Sequence, residues 1–346
     1  MTENYQTLSL QQIEDLSRRA LAGCGAKEHQ LELAVQSIID AECDGIRTVG
    51  LNYLPLYCGH LQVGKLNRNA MPSHQSVAPS VIHSNADRGF AHAAYAEAEA
   101  DFYTLAKQQG IACLSITDSY SAGVIGWFVR RIAEQGLIGL GFANSPSAVA
   151  PTPGAKPFFG TNPMAFAAPR NGHPPLLADM ATSQVALVTI KQAAADGQAI
   201  PLGWGYNQNG ELTTNPNAVI NGGSLAPAGG YKGMLLGLLV DLLAGVLSGP
   251  NCSFQAPVFK NNTGSEPKVG QFFIAIAPTT FSPTGFDGYG ERLETMLTAL
   301  ASEPGVRLPG KRRHEAKQNA ELNGVEVPQA LIDKLEGFAG GGGGSD

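Results

Sequence analysis

The chain has 346 residues, 29 acidic and 23 basic side chains, and a formal net charge of −6. Only 15% of its residues are charged, against roughly 25% in ordinary soluble domains, while 43% are hydrophobic; this excludes a disordered chain. The acidic balance, without any Lys/Arg block, argues against a nucleic-acid binder or an electrostatic membrane binder.

From the N-terminus, Met1–Ser9 is polar and has no apolar signal core, so a cytoplasmic location is expected. Ser9 reads as an N-cap ahead of Leu10, Ile13 and Leu16 at helical spacing, and a second helix follows near 27–42. The segment 43–52 breaks that pattern with two glycines. The run FAHAAYAEAEADFYTLAKQQ (90–109) is alanine-rich and helical, Gly110 ends it, and IACLSIT (111–117) reads as a buried strand. A helix over 126–134 and a strand over 137–143 repeat the rhythm. Short extended pieces are expected at 165–168 and 176–178, and FFIAIA (272–277) is a further strand.

The apolar stretch 234–247 is too short for a bilayer span and reads as a buried helix; 251–269 reads as a long surface loop. The Gly-rich end, 340–344, reads as a flexible tail. Five scattered cysteines without CxxC indicate reduced thiols, and seven histidines without ligand spacing give no metal site. The class is mixed α/β.

No GxGxxG opens a helix after a strand, and GxxxxGK[ST], HExxH and GxSxG are absent. Three small-residue loops stand out instead: Gly160-Thr161-Asn162-Pro163, Asp179-Met180-Ala181-Thr182-Ser183 and Gly229-Gly230-Tyr231-Lys232-Gly233. Thr182 and Ser183, read as a helix start, offer hydroxyls and N–H groups to an anion, and Lys232 adds charge where a helix dipole favours phosphate. Taken singly, each is equally a turn with a helix cap.

Together these strings are recognisable. With EQGLIG (134–139), FFGTNPMAFAAPR (158–170), ELTTNP (211–216) and VRLPG (306–310), the chain resembles the malate/L-lactate dehydrogenase-like family of NAD(P)-dependent oxidoreductases over about residues 10–335. The resemblance implies a non-Rossmann NAD(P)-binding α/β fold, a mixed sheet with flanking helices, and a homodimer. It implies NADPH or NADH contacts at Ser121, Gly123, Asn162, Asp179, Met180, Ala181, Thr182, Ser183, Lys232, Lys311 and Arg312, with Thr161 and Asn162 beneath the nicotinamide and substrate. An N-terminal substrate-side segment (1–110), a central cofactor-binding domain (111–270) and a C-terminal part returning to the first (271–338) are expected, with 339–346 as tail.

The departures fall where the family does its proton chemistry. Its Ser-His-Gly is Thr48-Val49-Gly50 here, its second histidine falls on Ser121, and the arginine after the first histidine is Tyr53. Valine transfers no proton, and serine is a poor acid at neutral pH. Three readings follow. A 2-imino acid (a cyclic ketimine) enters already protonated and needs no strong protein acid. A 2-oxo acid needs a relocated acid, for which Asp179 and His60 are the candidates, although a bland surface role for His60 stays open. A protein that only binds the cofactor, or does non-redox chemistry, is the third. Arg47 and Thr48 are the candidates for the substrate carboxylate, since a guanidinium holds it in a fork, with Tyr53, Ser121 and Thr161 bordering the substrate; a structural ion pair is the alternative for Arg47.

Overall fold

The computed structural model describes residues 4–154, 156–259 and 262–341. The tail from 342 onward lies outside them. In chain order the elements are β1 (Tyr5–Leu8), α1 (Leu10–Gly23), α2 (Leu31–Cys43), α3 (Leu54–Val63), β2 (Ser73–Ala78), β3 (Val81–Asn85), α4 (Ala91–Gln109) and β4 (Ile111–Ser119). Then come α5 (Ile125–Glu134), β5 (Ile138–Ala143), β6 (Met164–Arg170), β7 (His173–Met180), α6 (Leu187–Ala195), β8 (Gly205–Tyr206), α7 (Pro216–Ile220) and β9 (Ser224–Leu225). Last are α8 (Tyr231–Val240), which runs into π-helical turns over Asp241–Leu247, β10 (Val269–Ile276), α9 (Pro278–Phe281), α10 (Gly285–Ala301), α11 (Lys311–Asn323), β11 (Val325–Pro328) and α12 (Gln329–Ala339).

Local chemistry sets these boundaries. Ser9 closes a capping box on α1: the Gln12 N–H donates to Ser9 Oγ (3.2 Å), and the Ser9 N–H to Gln12 Oε1 (2.8 Å). Gly110 ends α4 at φ 84°, where a side chain would also strike Thr280.

Seven strands form one mixed sheet in the order β2-β3-β4-β10-β5-β6-β7, with β3 and β4 parallel and every other neighbouring pair antiparallel. The α4 and α5 helices pack on it through Tyr95, Phe102, Trp127 and Phe128. A second core joins α1–α3 to the C-terminal Ala320, Ile332, Leu335 and Phe338, and β1 pairs with β11. The sheet takes in β2 and β3, α4 packs on it, and its strand β10 begins at Val269. A small third core, with Val149, Phe159, Ile190 and Leu225, builds a satellite between β5 and α8.

The stretch 234–247 is helical but is not the buried helix its composition indicates. Leu235, Leu236, Leu238, Leu239, Leu242, Val246 and Leu247 are each more than 40% exposed. Only Gly237, Val240, Asp241, Ala244 and Gly245 of its inner face are covered. Among the described residues, no helix is long and apolar enough to cross a membrane.

Candidate functional site

Strand direction gathers the small-residue loops. Because β4 and β5 are both antiparallel to β10 they point the same way, and β6 and β7 alternate beside them. The segments after β4 (119–124), after β5 (144–145), before β6 (160–163) and after β7 (179–183) therefore share one end of the sheet. Ligands of open α/β sheets bind beyond the carboxyl ends of strands.

At the β4 end, Gly123 turns the chain at φ 60°, and its N–H donates to Ser121 Oγ at 3.2 Å. Tyr57 is buried beside this turn, and burial pushes its phenol far above the ordinary range. Tyr53 packs edge-on against Tyr57 with centroids 5.1 Å apart; its phenol is pushed up to about 12 by burial. A side chain on Gly123 would meet Tyr57 Oη and the edge of His92. His92 is fully enclosed, and neither ring nitrogen has a hydrogen-bond partner among the described residues. His60 is equally buried; its Nδ1 lies 2.5 Å from Tyr120 Oη.

The segment 47–53 approaches this group as two short 3₁₀ turns. Glu42 builds it by accepting the Leu51 N–H at 2.6 Å, and a Cβ on Gly50 would collide with that carboxylate. Burial holds the Glu42 carboxyl above its usual range. Arg47 and Thr48 are exposed, while Val49 packs against the central core. Among the described residues Arg47 has no ion pair.

The β7 end is stapled to the β6 end. Thr182 donates its N–H (2.9 Å) and its hydroxyl (3.1 Å) to the Thr161 carbonyl. Ser183 Oγ donates to the Val185 carbonyl. The next helix, α6, starts only at Leu187, so Thr182 and Ser183 are not the helix start read from the sequence, and their hydroxyls serve the fold. Asn162 is likewise committed: its side chain is fully buried and engaged by three protein groups, which leaves only backbone for a ligand. Met180 is exposed and Ala181 partly so. Lys232 does stand in the first turn of α8, exposed, after Gly229 and Gly230 at positive φ.

Asp179 accepts the Gly126 N–H (3.1 Å) at the start of α5 and faces Arg313 at 3.5 Å. Burial raises its carboxyl above the ordinary value, and the Arg313 charge opposes that rise. Arg313, not the exposed Arg312, is thus the α11 arginine that reaches the β7 end, because helical spacing turns 312 outward. Beside this pair lies a pocket of about 370 Å³ lined by Arg130, Arg170, Lys311, Arg313 and Lys317 and by the carboxylates of Asp44, Glu134 and Glu321, with Pro175, Leu177 and Pro309 as an apolar wall. Arg130 is bound to Asp44, whereas Arg313 Nη1 is buried with no hydrogen-bond partner among the described residues. The run Lys311-Arg312-Arg313 is legible in the sequence as suited to a 2′-phosphate, whereas Tyr57 and His92 carry no sequence signal.

A family model described as malate/L-lactate dehydrogenase matches residues 8–336. The chain is 39% identical over 332 residues to a (2R)-3-sulfolactate dehydrogenase (NADP(+)) of Chromohalobacter salexigens, covering 96% of this chain and 98% of that one. It is 34% identical over 335 residues to the Delta(1)-pyrroline-2-carboxylate/Delta(1)-piperideine-2-carboxylate reductase of Pseudomonas syringae pv. tomato, covering 97% of each. The crystal structure of delta1-piperideine-2-carboxylate reductase from that organism superposes with a TM-score of 0.90 at 33% identity, over 96% of this chain and 99% of the other. A malate dehydrogenase structure from Pyrococcus horikoshii gives 0.87 at 26% identity, over 99% and 97%.

Proposed function

The chain belongs to the malate/L-lactate dehydrogenase family, and on that premise we propose that it is an NAD(P)H-dependent reductase of a small 2-imino or 2-oxo carboxylic acid. The observation that carries this reading is the meeting, at one sheet end, of the Ser121–Gly123 turn, the stapled Thr161/Thr182 segments and Asp179, with the partnerless Arg313 nitrogen beside them.

In this reading Arg313, with Lys311 at the head of α11 and Lys232 at the head of α8, holds the cofactor phosphates; the cluster of cations suits a 2′-phosphate. Bound nicotinamide supplies a hydride to the substrate's C2. Arg47 and Thr48, both exposed on one short turn, take the substrate carboxylate, and Tyr53, Ser121 and Thr161 border the substrate. Asp179 holds the start of α5 and orients Arg313. For a cyclic ketimine, whose nitrogen enters protonated, the hydroxyls of Ser121 and Tyr57 suffice as hydrogen-bonding partners.

For a 2-oxo acid, the alkoxide formed needs a proton. Asp179, with its carboxyl raised by burial, is the better placed donor; His60 lies behind Tyr120, its Nδ1 2.5 Å from the Tyr120 hydroxyl. The sulfolactate dehydrogenase relative favours this second reading.

We further propose a cytoplasmic homodimer. The outer leucines of α8 and its π-helical extension form a contiguous exposed apolar face of the kind that marks an interface, and all five cysteines are free of disulfides. The test is NADPH and NADH oxidation with cyclic ketimines and with 2-oxo acids, with and without methylamine. Turnover confined to imines supports the first reading, and turnover of 2-oxo acids without amine the second. Cofactor binding without any oxidation would leave only a binding role.

A further inference from the structure

The Gly160–Pro163 turn is held from beneath by a buried carboxylate, and we propose that Asp241 is a positioning residue that sets Asn162, through Ser253, for cofactor binding. This rests on the reading that Thr161 and Asn162 border the cofactor.

Asp241 opens the π-helical turns and is only 4% exposed, yet none of the ion pairs among the described residues includes it. Its oxygens are instead committed to neutral donors. Oδ1 accepts the Ser253 N–H (3.0 Å) and the Asn144 amide (3.3 Å), and lies 3.0 Å from Ser253 Oγ. Burying a carboxylate without a cation costs several kcal/mol in general and is a poor way to stabilise a core. A group retained at that cost calls for a role, and its neighbours indicate one.

The Ser253 hydroxyl lies 3.0 Å from Asn162 Oδ1 as well, so its single proton is shared between carboxylate and amide. Asn162 Oδ1 also accepts the Ser145 N–H (3.3 Å), and Nδ2 donates to the Gly237 carbonyl of α8 (3.0 Å). These contacts hold Asn162 at φ 36°, a left-handed backbone that side chains other than glycine seldom adopt. The next carbonyl back, Thr161, receives both Thr182 hydrogen bonds. A chain of hydrogen bonds therefore runs from Asp241 through Ser253 and Asn162 to the stapled 161/182 segments. Its inner support, α8, is the helix whose N-terminal turn carries Lys232.

The test uses the full-length chain and the variants Asp241→Ala, Ser253→Ala, their double and Asp241→Asn. Two measurements are made: NADPH dissociation constants by fluorescence, and amide hydrogen exchange of peptides spanning 160–163 and 179–183. Asp241→Ala and Ser253→Ala should each weaken NADPH about tenfold, and the double should be no worse than about threefold beyond the poorer single, because both break one chain. Asp241→Asn, whose Oδ1 still accepts from the Ser253 N–H, the Ser253 hydroxyl and the Asn144 amide, should restore affinity. Exchange at 160–163 should quicken in both alanine variants and return to normal in Asp241→Asn. Unchanged affinity and exchange in folded Ser253→Ala, or independent multiplicative effects, would overturn the proposal. If the unaltered protein bound no NADPH, the cofactor reading would fail, while the exchange measurement would still decide whether Asp241 positions the turn.

Discussion

Replacing His92 with phenylalanine should remove a pH-dependent weakness from the fold. His92 is 1% exposed, stacked on Phe128 with centroids 5.0 Å apart and edge-on to Trp127 at 5.3 Å, with both nitrogens partnerless among the described residues. Burial, helped by the Arg131 charge, holds its imidazole down at about 3, against an ordinary 6.5. Between those values the unfolded chain binds a proton that the folded chain refuses, so stability is complete above pH 6.5 and falls as pH drops toward 3. The slope is about 1.4 kcal/mol per pH unit, which gives about 2 kcal/mol lost by pH 5 and roughly 4–5 kcal/mol at the acid limit. Phenylalanine keeps the aromatic stack and has nothing to protonate. Urea unfolding of both proteins from pH 8 to pH 5 measures the difference; the buried carboxylates Glu42 and Asp179 titrate in both and cancel. The stability difference should shift in favour of His92→Phe by about 2 kcal/mol across that range. A difference independent of pH would refute the reasoning, whatever constant offset the bulkier ring introduces.

The remaining predictions address the helix cap, the pocket beside Arg313 and the apolar face. Ser9→Ala breaks the capping box of α1 and should cost about 1 kcal/mol in chemical denaturation. Arg313→Ala should weaken NADPH binding in titration calorimetry by about ten- to a hundredfold, whereas Arg312→Ala, with its side chain turned outward, should change it by less than about threefold. Leu238→Glu combined with Leu242→Glu should convert a dimer to a monomer in sedimentation velocity; an unchanged mass would remove that face as the interface.

What the sequence revealed follows where local physics is decisive. IACLSIT, preceded by Gly110, and FFIAIA, followed by Pro278, are too short for helices and rich in β-formers, and they become β4 and β10, neighbours at the centre of the sheet. The loops at 160–163 and 179–183 are legible as small-residue turns at strand ends, because such residues mark close backbone approach. Their internal roles were not: that Thr182 spends its hydroxyl on Thr161 is a tertiary fact with no sequence counterpart. The stretch 234–247 misled because composition cannot distinguish a residue buried in its own core from one awaiting another surface. The sequence offers Lys311, Arg312 and Arg313 together, and which of them turns inward is set by how α11 docks, not by the sequence. His92 lay hidden in FAHAAY, since one histidine in an alanine-rich helix carries no signal of its own.

The central claim is hydride transfer to the C2 of a small 2-imino or 2-oxo carboxylate, and the measurement that tests it most directly is NADPH oxidation against a substrate panel. The panel should contain Δ1-piperideine- and Δ1-pyrroline-2-carboxylate, together with pyruvate-like 2-oxo acids tried with and without methylamine. The account predicts NADPH-dependent turnover within this panel, strongest with the cyclic ketimines and lost or sharply reduced in Arg47→Ala through a raised KM for substrate. Absence of NADPH and NADH oxidation with every member, by protein that binds the cofactor, would contradict it.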